Sequence, residues 1–167
     1  MKLVTVLFAL FLPCAAGLPA AATAVPPGLE AAPGGEVVRV TDGDTLTLAD
    51  GREIRLVGIQ APKLPLGRPG FEAWPLAGDA KAFLEQMTLN RTVTLGFGGR
   101  RGDRHGRVLA HLFDAEGRWI QGEILKQGLA RVYSFADNRA LVPQMLALEA
   151  EARGARRGIW AESYYAV

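Results

Sequence analysis

A chain of 167 residues, 49% hydrophobic and 22% charged, is long enough for one domain with a single core. Its formal net charge of +2 does not give the overall positive charge expected of a protein that binds nucleic acid over its whole surface. Any anion-binding site must therefore be a local cluster of basic side chains. The sequence shows no internal repeat, which excludes solenoids and propellers.

Residues 1–24 predict a cleaved secretory signal peptide. Met1 and Lys2 precede the apolar run Leu3–Leu12, and the segment ends in small residues, Ala22-Thr23-Ala24. The run is too short to span a bilayer, so we expect a secreted or periplasmic protein without a membrane span. The single cysteine, Cys14, lies in this segment, and the processed chain would carry no disulfide and no thiol.

The elements that follow predict an α+β domain. Residues 25–35 are rich in proline and glycine and indicate a flexible leader. Short apolar or alternating runs predict strands at residues 37–40, 46–48, 54–59, 92–97, 107–113 and 129–133. Helical spacing of apolar residues predicts helices over Phe71–Leu89, Ile120–Gln127 and Leu141–Arg153. Strands that meet early, with helices later, favour a small closed antiparallel barrel of about five strands with about three packed helices.

Common catalytic motifs are missing from the sequence. It has no GxGxxG, no GxxxxGK and no GxSxG pattern. The two histidines, His105 and His111, are too far apart on the predicted strand to share a metal. Acyl transfer and zinc-dependent hydrolysis are therefore poorly supported.

Six short motifs in order resemble the staphylococcal-nuclease (thermonuclease) family over residues 36–162, which leaves 163–167 as a tail. They are TDGDT at 41–45, RLVGIQAPK at 55–63, GFEA at 70–73, DRHGRVLA at 103–110, GLARVY at 128–133 and GIW at 158–160. The resemblance implies an OB-fold barrel that hydrolyses phosphodiesters of DNA and RNA with Ca²⁺. Such a reaction builds negative charge on phosphate oxygens, which guanidinium groups and a metal ion stabilise.

The resemblance also implies roles for particular residues. It places Arg55 and Arg107 on the scissile phosphate and Asp44, with Asp42 nearby, at the Ca²⁺ site. Gln60 falls where the family has a second Ca²⁺ aspartate, and Lys63 falls where it has the catalytic glutamate. The calcium site therefore loses a charge, and the position of the general base changes sign.

Each candidate also has a plainer interpretation. Asp42 and Asp44 could cap a turn, and Arg55 and Arg107 could form structural ion pairs. The loop after the predicted strand at residues 92–97 is basic. Its residues Arg100, Arg101 and Arg104 could contact single-stranded nucleic acid or simply be solvated. Glu72 could act as a substitute base or simply favour a helix start.

Two functions follow from these observations. The first is a phosphodiesterase that uses Arg55, Lys63 and Arg107 with a weakened cation site. The second is a non-catalytic family member that binds nucleic acid, another phosphate-bearing ligand or a protein in the former active-site cleft. Ca²⁺ is a doubtful cofactor in both cases, and a monomer is the default expectation. We further predict that Lys63 lies against Asp44 and that Arg55 and Arg107 converge on one anion site.

Overall fold

A computed structural model describes residues 25–166 of the protein, so the predicted signal peptide lies outside the described residues. The strands are β1 (Glu30–Asp42), β2 (Thr45–Leu48), β3 (Glu53–Leu56), β4 (Ile59–Gln60), β5 (Thr92–Phe97), β6 (Val108–Phe113) and β7 (Arg131–Val132). The helices are α1 (Ala77–Thr88), α2 (Ile120–Lys126) and α3 (Val142–Gly154). Two 3₁₀ turns follow, Gly158–Ala161 and Ser163–Tyr165. Within the described residues, no helix is both long enough and apolar enough to cross a membrane.

Five strands close into a barrel in the order β1-β2-β3-β6-β5, as expected for an OB-fold. The barrel is mixed rather than fully antiparallel, because β3 and β6 pair in parallel while the other four pairs are antiparallel. The chain between β3 and β6 carries α1 and β5, and this long crossover allows two strands to run in the same direction. The small strands β4 and β7 form a separate antiparallel pair.

The first strand begins at Glu30, inside the segment that the sequence predicts to be a flexible leader. It pairs with β5 from Glu30 to Glu36, with a register shift between Ala32 and Gly35. A Cβ atom at Gly34 would lie 1.8 Å from the carbonyl oxygen of Val93, so glycine allows the two backbones to approach closely here. The proline- and glycine-rich residues 30–35, predicted to be part of a flexible leader, therefore belong to a strand with a bulge.

The helix predicted over Phe71–Leu89 is shorter, because α1 begins only at Ala77. Residues 71–76 form an irregular segment that contains Pro75 and ends at Leu76, whose φ angle is 62°. The core fills the barrel and the space between the barrel and the helices. Its largest fully buried aliphatic side chains are Leu46, Leu48, Ile54, Leu56, Ile59, Leu84, Leu95, Leu112, Ile120, Ile124 and Leu125.

Candidate nucleic-acid cleft

The predicted carboxylate pair lies at the turn between β1 and β2, and Asp44 is fully buried there. Its Oδ2 accepts hydrogen bonds from the backbone N–H of Ala61 (2.8 Å) and from Nζ of Lys63 (2.9 Å). The same oxygen lies 3.1 Å from Nη2 of Arg55. Its Oδ1 accepts a hydrogen bond from the Thr45 hydroxyl (3.1 Å). Both carboxylate oxygens are thus bonded to groups of the protein itself.

The two carboxyl groups have pKa values shifted in opposite directions. Burial acts to raise the pKa of Asp44, but Arg55, Lys63 and the N–H of Ala61 outweigh it and lower this pKa below its ordinary value. Burial and the neighbouring charge of Asp44 raise the pKa of Asp42. Asp44 is therefore the carboxylate that stays ionised, and its charge is balanced internally.

Lys63 contacts Asp44, as the sequence predicts. Its Nζ also lies 3.9 Å from Asp42, so one ammonium faces both carboxylates. The side chain remains 22% exposed on the wall of a cleft. An ammonium has three N–H donors, which leaves it able to contact a ligand in the cleft as well.

The guanidinium group of Arg55 is directed toward the protein interior. Nη1 donates to the carbonyl oxygens of Asp44 (3.2 Å) and Leu56 (2.8 Å), and Nη2 donates to that of Ile59 (2.8 Å). With the ion pair to Asp44, these contacts occupy the terminal nitrogens that a bidentate grip on phosphate would need. The geometry therefore favours the structural interpretation of Arg55.

Arg107 also forms an ion pair, but its guanidinium group makes fewer hydrogen bonds and ion pairs within the protein than that of Arg55. Its Nε (2.8 Å) and Nη2 (2.7 Å) face Oδ2 of Asp103, four residues earlier. Asp103 Oδ1 also accepts the backbone N–H groups of His105 and Arg107, which fixes the loop. The Nη1 nitrogen of Arg107 has no partner among the described residues, and the side chain lines the cleft.

Gln60 stands at the position where the family resemblance implies a second aspartate, and its side chain is engaged in hydrogen bonds within the protein. Its Oε1 accepts hydrogen bonds from Nε (3.0 Å) and Nη2 (2.7 Å) of Arg131 on β7. This side-chain contact joins the two residues that pair in the β4–β7 sheet.

Of these residues, Arg55, Gln60, Lys63 and Arg107 line a cleft of about 670 Å³. Its charged lining consists of the basic side chains Arg55, Lys63, Arg100, Arg104 and Arg107 and the acidic side chains Asp103 and Asp137. Arg100 lies 3.8 Å from Asp137, and Nε of Arg104 contacts His105. Arg101 is outside the lining and pairs with Glu30.

Two aromatic side chains that sequence reasoning did not single out also line the cleft. Tyr133 and Phe135 are 46% and 62% exposed and meet edge to face, with ring centroids 5.1 Å apart. Their spacing of two residues directly after β7 is the available signal, because an extended chain places such residues on one side. Glu72, in contrast, is exposed in the segment before α1 and does not line this cleft.

The residues present do not fit Ca²⁺. This ion takes six to eight oxygen ligands, whereas both oxygens of Asp44 already accept hydrogen bonds from protein donors and Oε1 of Gln60 accepts two from Arg131. Lys63 places a positive charge between Asp42 and Asp44, where a second cation would be repelled. Among residues 25–166, no group of three or more histidine, cysteine, aspartate or glutamate side chains is arranged to hold a metal ion.

Comparison with known proteins identifies the family. Residues 53–162 match the model of the family described as staphylococcal nuclease homologue. An uncharacterized endonuclease of Escherichia coli is 31% identical over 132 residues, covering 77% of this chain and 78% of the relative. Protein ParB of Escherichia coli is 33% identical over 141 residues (78% and 73% coverage). Endonuclease YncB of Bacillus subtilis is 30% identical over 132 residues (76% and 61% coverage). The chain therefore belongs to the staphylococcal nuclease homologue family, as its motifs predict.

Proposed function

We propose that this protein is a secreted nuclease-family member that binds single-stranded nucleic acid in the cleft and lacks calcium-dependent hydrolysis. The observation that carries the proposal is the 2.9 Å contact between Nζ of Lys63 and Oδ2 of Asp44. It supplies a fixed positive charge where the family resemblance implies a metal ion and a base. Family membership and relatives named endonuclease support nucleic acid as the ligand class.

The charges of the cleft support binding of a phosphodiester backbone. Among the described residues, five basic side chains line it, against Asp103 and Asp137 in the lining and Asp42 and Asp44 behind Arg55 and Lys63, so the basic groups exceed the carboxylates by one. Arg107 retains a guanidinium nitrogen, and Lys63 retains an N–H donor, for contact with phosphate oxygens. Basic groups of this kind bind the phosphates of nucleic acid whatever its sequence, and the affinity of that binding falls as salt is added.

The aromatic pair supports a single strand rather than a duplex. Tyr133 and Phe135 expose their rings beside the basic groups. Unpaired bases stack on such rings, whereas paired bases are enclosed in the duplex. The combination of a basic wall and exposed aromatic rings is typical of sites that bind single strands without sequence preference.

Hydrolysis by the family's route requires a group that accepts the proton of the attacking water. Lys63 presents an ammonium at that position, and this ammonium is engaged by Asp44 and Asp42. General-base catalysis contributes about 10²–10⁴-fold in rate, so its loss leaves little activity by that route.

The test measures binding and cleavage of a fluorescent single-stranded oligonucleotide, with millimolar Ca²⁺ and with chelator. We expect the same affinity in both conditions, no calcium-dependent cleavage and no change in the melting temperature with Ca²⁺. Cleavage that is stimulated by Ca²⁺ and lost in Asp44→Asn would contradict the proposal.

A gain-of-function variant sharpens this test. Gln60→Asp with Lys63→Glu returns two carboxylates, so we expect millimolar Ca²⁺ to raise the melting temperature by about 3–6 °C if it reaches about ten times its dissociation constant. Calcium-dependent cleavage should appear in the double variant and remain near background in each single variant, because the groups act as a unit. A wild type as fast as the double variant would show that our assignment of Lys63 and Gln60 is wrong.

The predicted signal peptide supports export, which we include in the proposal. Fractionation of cells that produce the full chain, with N-terminal sequencing of the product, tests it. We expect a product that begins near Val25 outside the cytoplasm, and an uncleaved product in the cytoplasm would contradict export.

A further inference from the structure

A second cavity, of about 350 Å³, lies beside the cleft and is not accounted for by the function proposed above. Most of its lining is aromatic or charged: Trp74, Arg131, Glu149, Arg153, Trp160, Tyr164 and Tyr165. Its volume is at the lower end of the range of about 300–1,000 Å³ that small-molecule sites occupy. It is large enough for one small planar group.

The second cavity is adjacent to the cleft at two places. Gln60 lines the cleft and Arg131 lines the second cavity, and these side chains are hydrogen-bonded to each other. Lys63 lines the cleft and Trp74 lines the second cavity, and the backbone N–H of Trp74 donates to the carbonyl oxygen of Lys63 (2.9 Å). The Gln60–Arg131 pair therefore lies at the border between the two spaces, and we call it the Gln60–Arg131 ridge.

The rings of the second cavity are partly open to a planar ligand. Tyr164 is 56% exposed, and its ring centroid is 6.1 Å from that of Trp74. On the other wall, the guanidinium carbon of Arg153 lies 4.7 Å from the centroid of the Trp160 ring. The Nε1 donor of Trp160 is buried without a hydrogen-bond partner among the described residues.

The charges select the kind of planar ligand. Arg131 and Arg153 carry two positive charges against the single carboxylate of Glu149, whose oxygen already accepts the backbone N–H of Val132 (2.5 Å). A cationic aromatic-binding ligand would be repelled by two arginines. A base with an attached phosphate offers a π-face to the rings and a negative charge to the guanidinium groups.

We infer that the second cavity binds another nucleotide of the strand whose phosphates occupy the cleft. This subsite rests on the proposed function and extends it, because it makes affinity depend on the length of the strand. A dinucleotide fills the cleft alone, whereas a longer strand crosses the Gln60–Arg131 ridge and places a base among Trp74, Trp160 and Tyr164.

The test measures the affinity of wild type and variants for fluorescent oligothymidylates of two and ten nucleotides, in chelator at one fixed low salt concentration. Stacking of one base on an aromatic ring corresponds to roughly 5- to 150-fold in affinity. We therefore expect Tyr164→Ala to weaken binding of the ten-mer by at least about fivefold and to leave the dinucleotide unchanged. Tyr164→Phe keeps the ring and should bind both as wild type does.

A second variant acts on the opposite wall of the cavity. Arg153→Gln should also weaken binding of the ten-mer alone, and Arg156→Gln is its matched control. Arg156 is an exposed arginine close by that does not line this cavity. Melting temperatures of all variants check that they fold.

The outcomes separate the two proposals. If Tyr164→Ala and Arg153→Gln lose affinity equally for the dinucleotide and the ten-mer, or if neither variant loses affinity for the ten-mer, the second subsite is overturned. Both results leave the cleft proposal standing. Failure of the wild type to bind either length would overturn both.

Discussion

Asp44 is a buried carboxylate whose charge is balanced by two basic side chains of unequal freedom. Arg55 is held by backbone carbonyl groups, whereas Lys63 is held only by the carboxylates. Removal of a partner from a buried ion leaves a desolvated charge without full compensation. The contribution of Lys63 to stability should therefore exceed that of an ordinary surface lysine.

Lys63→Ala should lower the free energy of unfolding by about 1–3 kcal/mol, the cost of leaving a buried polar group under-satisfied. Lys81→Ala is the matched control, because Nζ of Lys81 pairs with Oε1 of Glu85 at 3.7 Å and both side chains are more exposed than Lys63 and Asp44. That pair is worth less than about 0.5 kcal/mol. Urea unfolding at neutral pH measures both, and equal losses would show that the Lys63–Asp44 contact is energetically a surface pair.

His111 is a second buried titratable group, and it makes no hydrogen bond or ion pair with Asp44, Lys63 or Arg55. It lies on β6 with its ring 5.6 Å from that of Trp119, and its Nδ1 has no partner among the described residues. Burial lowers the pKa of His111 to about 4. The folded state therefore keeps this imidazole neutral where the unfolded state takes up a proton.

This shift predicts a loss of stability in acid. As pH falls from about 6.5 to about 4, the unfolded state binds the extra proton, and the free energy of unfolding should drop by about 3 kcal/mol. His111→Phe should remove most of this slope, while His105→Gln, at an exposed histidine, should keep it. Denaturant unfolding at several pH values measures the slope, and a slope unchanged in His111→Phe would contradict the assignment.

At the scale of elements, periodicity predicts which segments pair or pack but not how closely they approach. The end of α2 and the 3₁₀ turn at Gly158 illustrate this limit. The backbone N–H of Ile159 donates to the carbonyl oxygen of Gly128 (2.8 Å), and Gly128 has a φ angle of 68°. A Cβ atom at Gly128 would lie 2.2 Å from the carbonyl oxygen of Arg157. The sequence marks Gly128 as a helix end, but only the packed chain reveals this contact.

Gly128→Ala should destabilise the protein by at least about 2 kcal/mol, because it adds left-handed strain to a steric clash. Gly154→Ala is the matched control, since Gly154 is in α3 and a Cβ atom there meets open space. The control should be neutral or stabilising by up to about 1 kcal/mol. Thermal unfolding compares the two, and equal melting temperatures would contradict the close approach.

The same limit explains how much of the site the sequence could predict. The contact between Lys63 and Asp44 was predictable, because opposite charges fall at positions that the family resemblance brings together. The orientation of Arg55 was not, since it depends on three carbonyl groups that converge only when β3 bends into β4. The ion pair of Arg107 with Asp103 is local and lies within one motif, yet the motif alone does not distinguish it from a free arginine. The role of each arginine toward phosphate stays a prediction.

At the scale of the whole molecule, residues 163–165 connect distant parts of the chain. The Tyr165 hydroxyl donates to the carbonyl oxygen of Pro75 (2.7 Å), and Tyr164 packs against Trp74. Burial raises the pKa of Tyr165 to about 12, so this hydroxyl keeps its proton even at pH 10, where an ordinary tyrosine is half ionised. The segment predicted as a tail thus supports the segment that follows Lys63.

The closure of the barrel by β1 with β5 and by β3 with β6 also determines when the chain can fold. Each of these pairs joins residues that are more than fifty positions apart. The first pair cannot form until β5, ending at Phe97, is available, and the second cannot form until β6, ending at Phe113, is available. Loop-closure entropy must be overcome before these distant contacts add stability, which places folding of such topologies in milliseconds to seconds. During that interval the chain has no closed barrel, and the apolar residues of its strands are not yet enclosed in a core. A chain that has not yet closed its barrel can be drawn through a narrow pore as an unfolded strand, which is the state that the export proposed above would require.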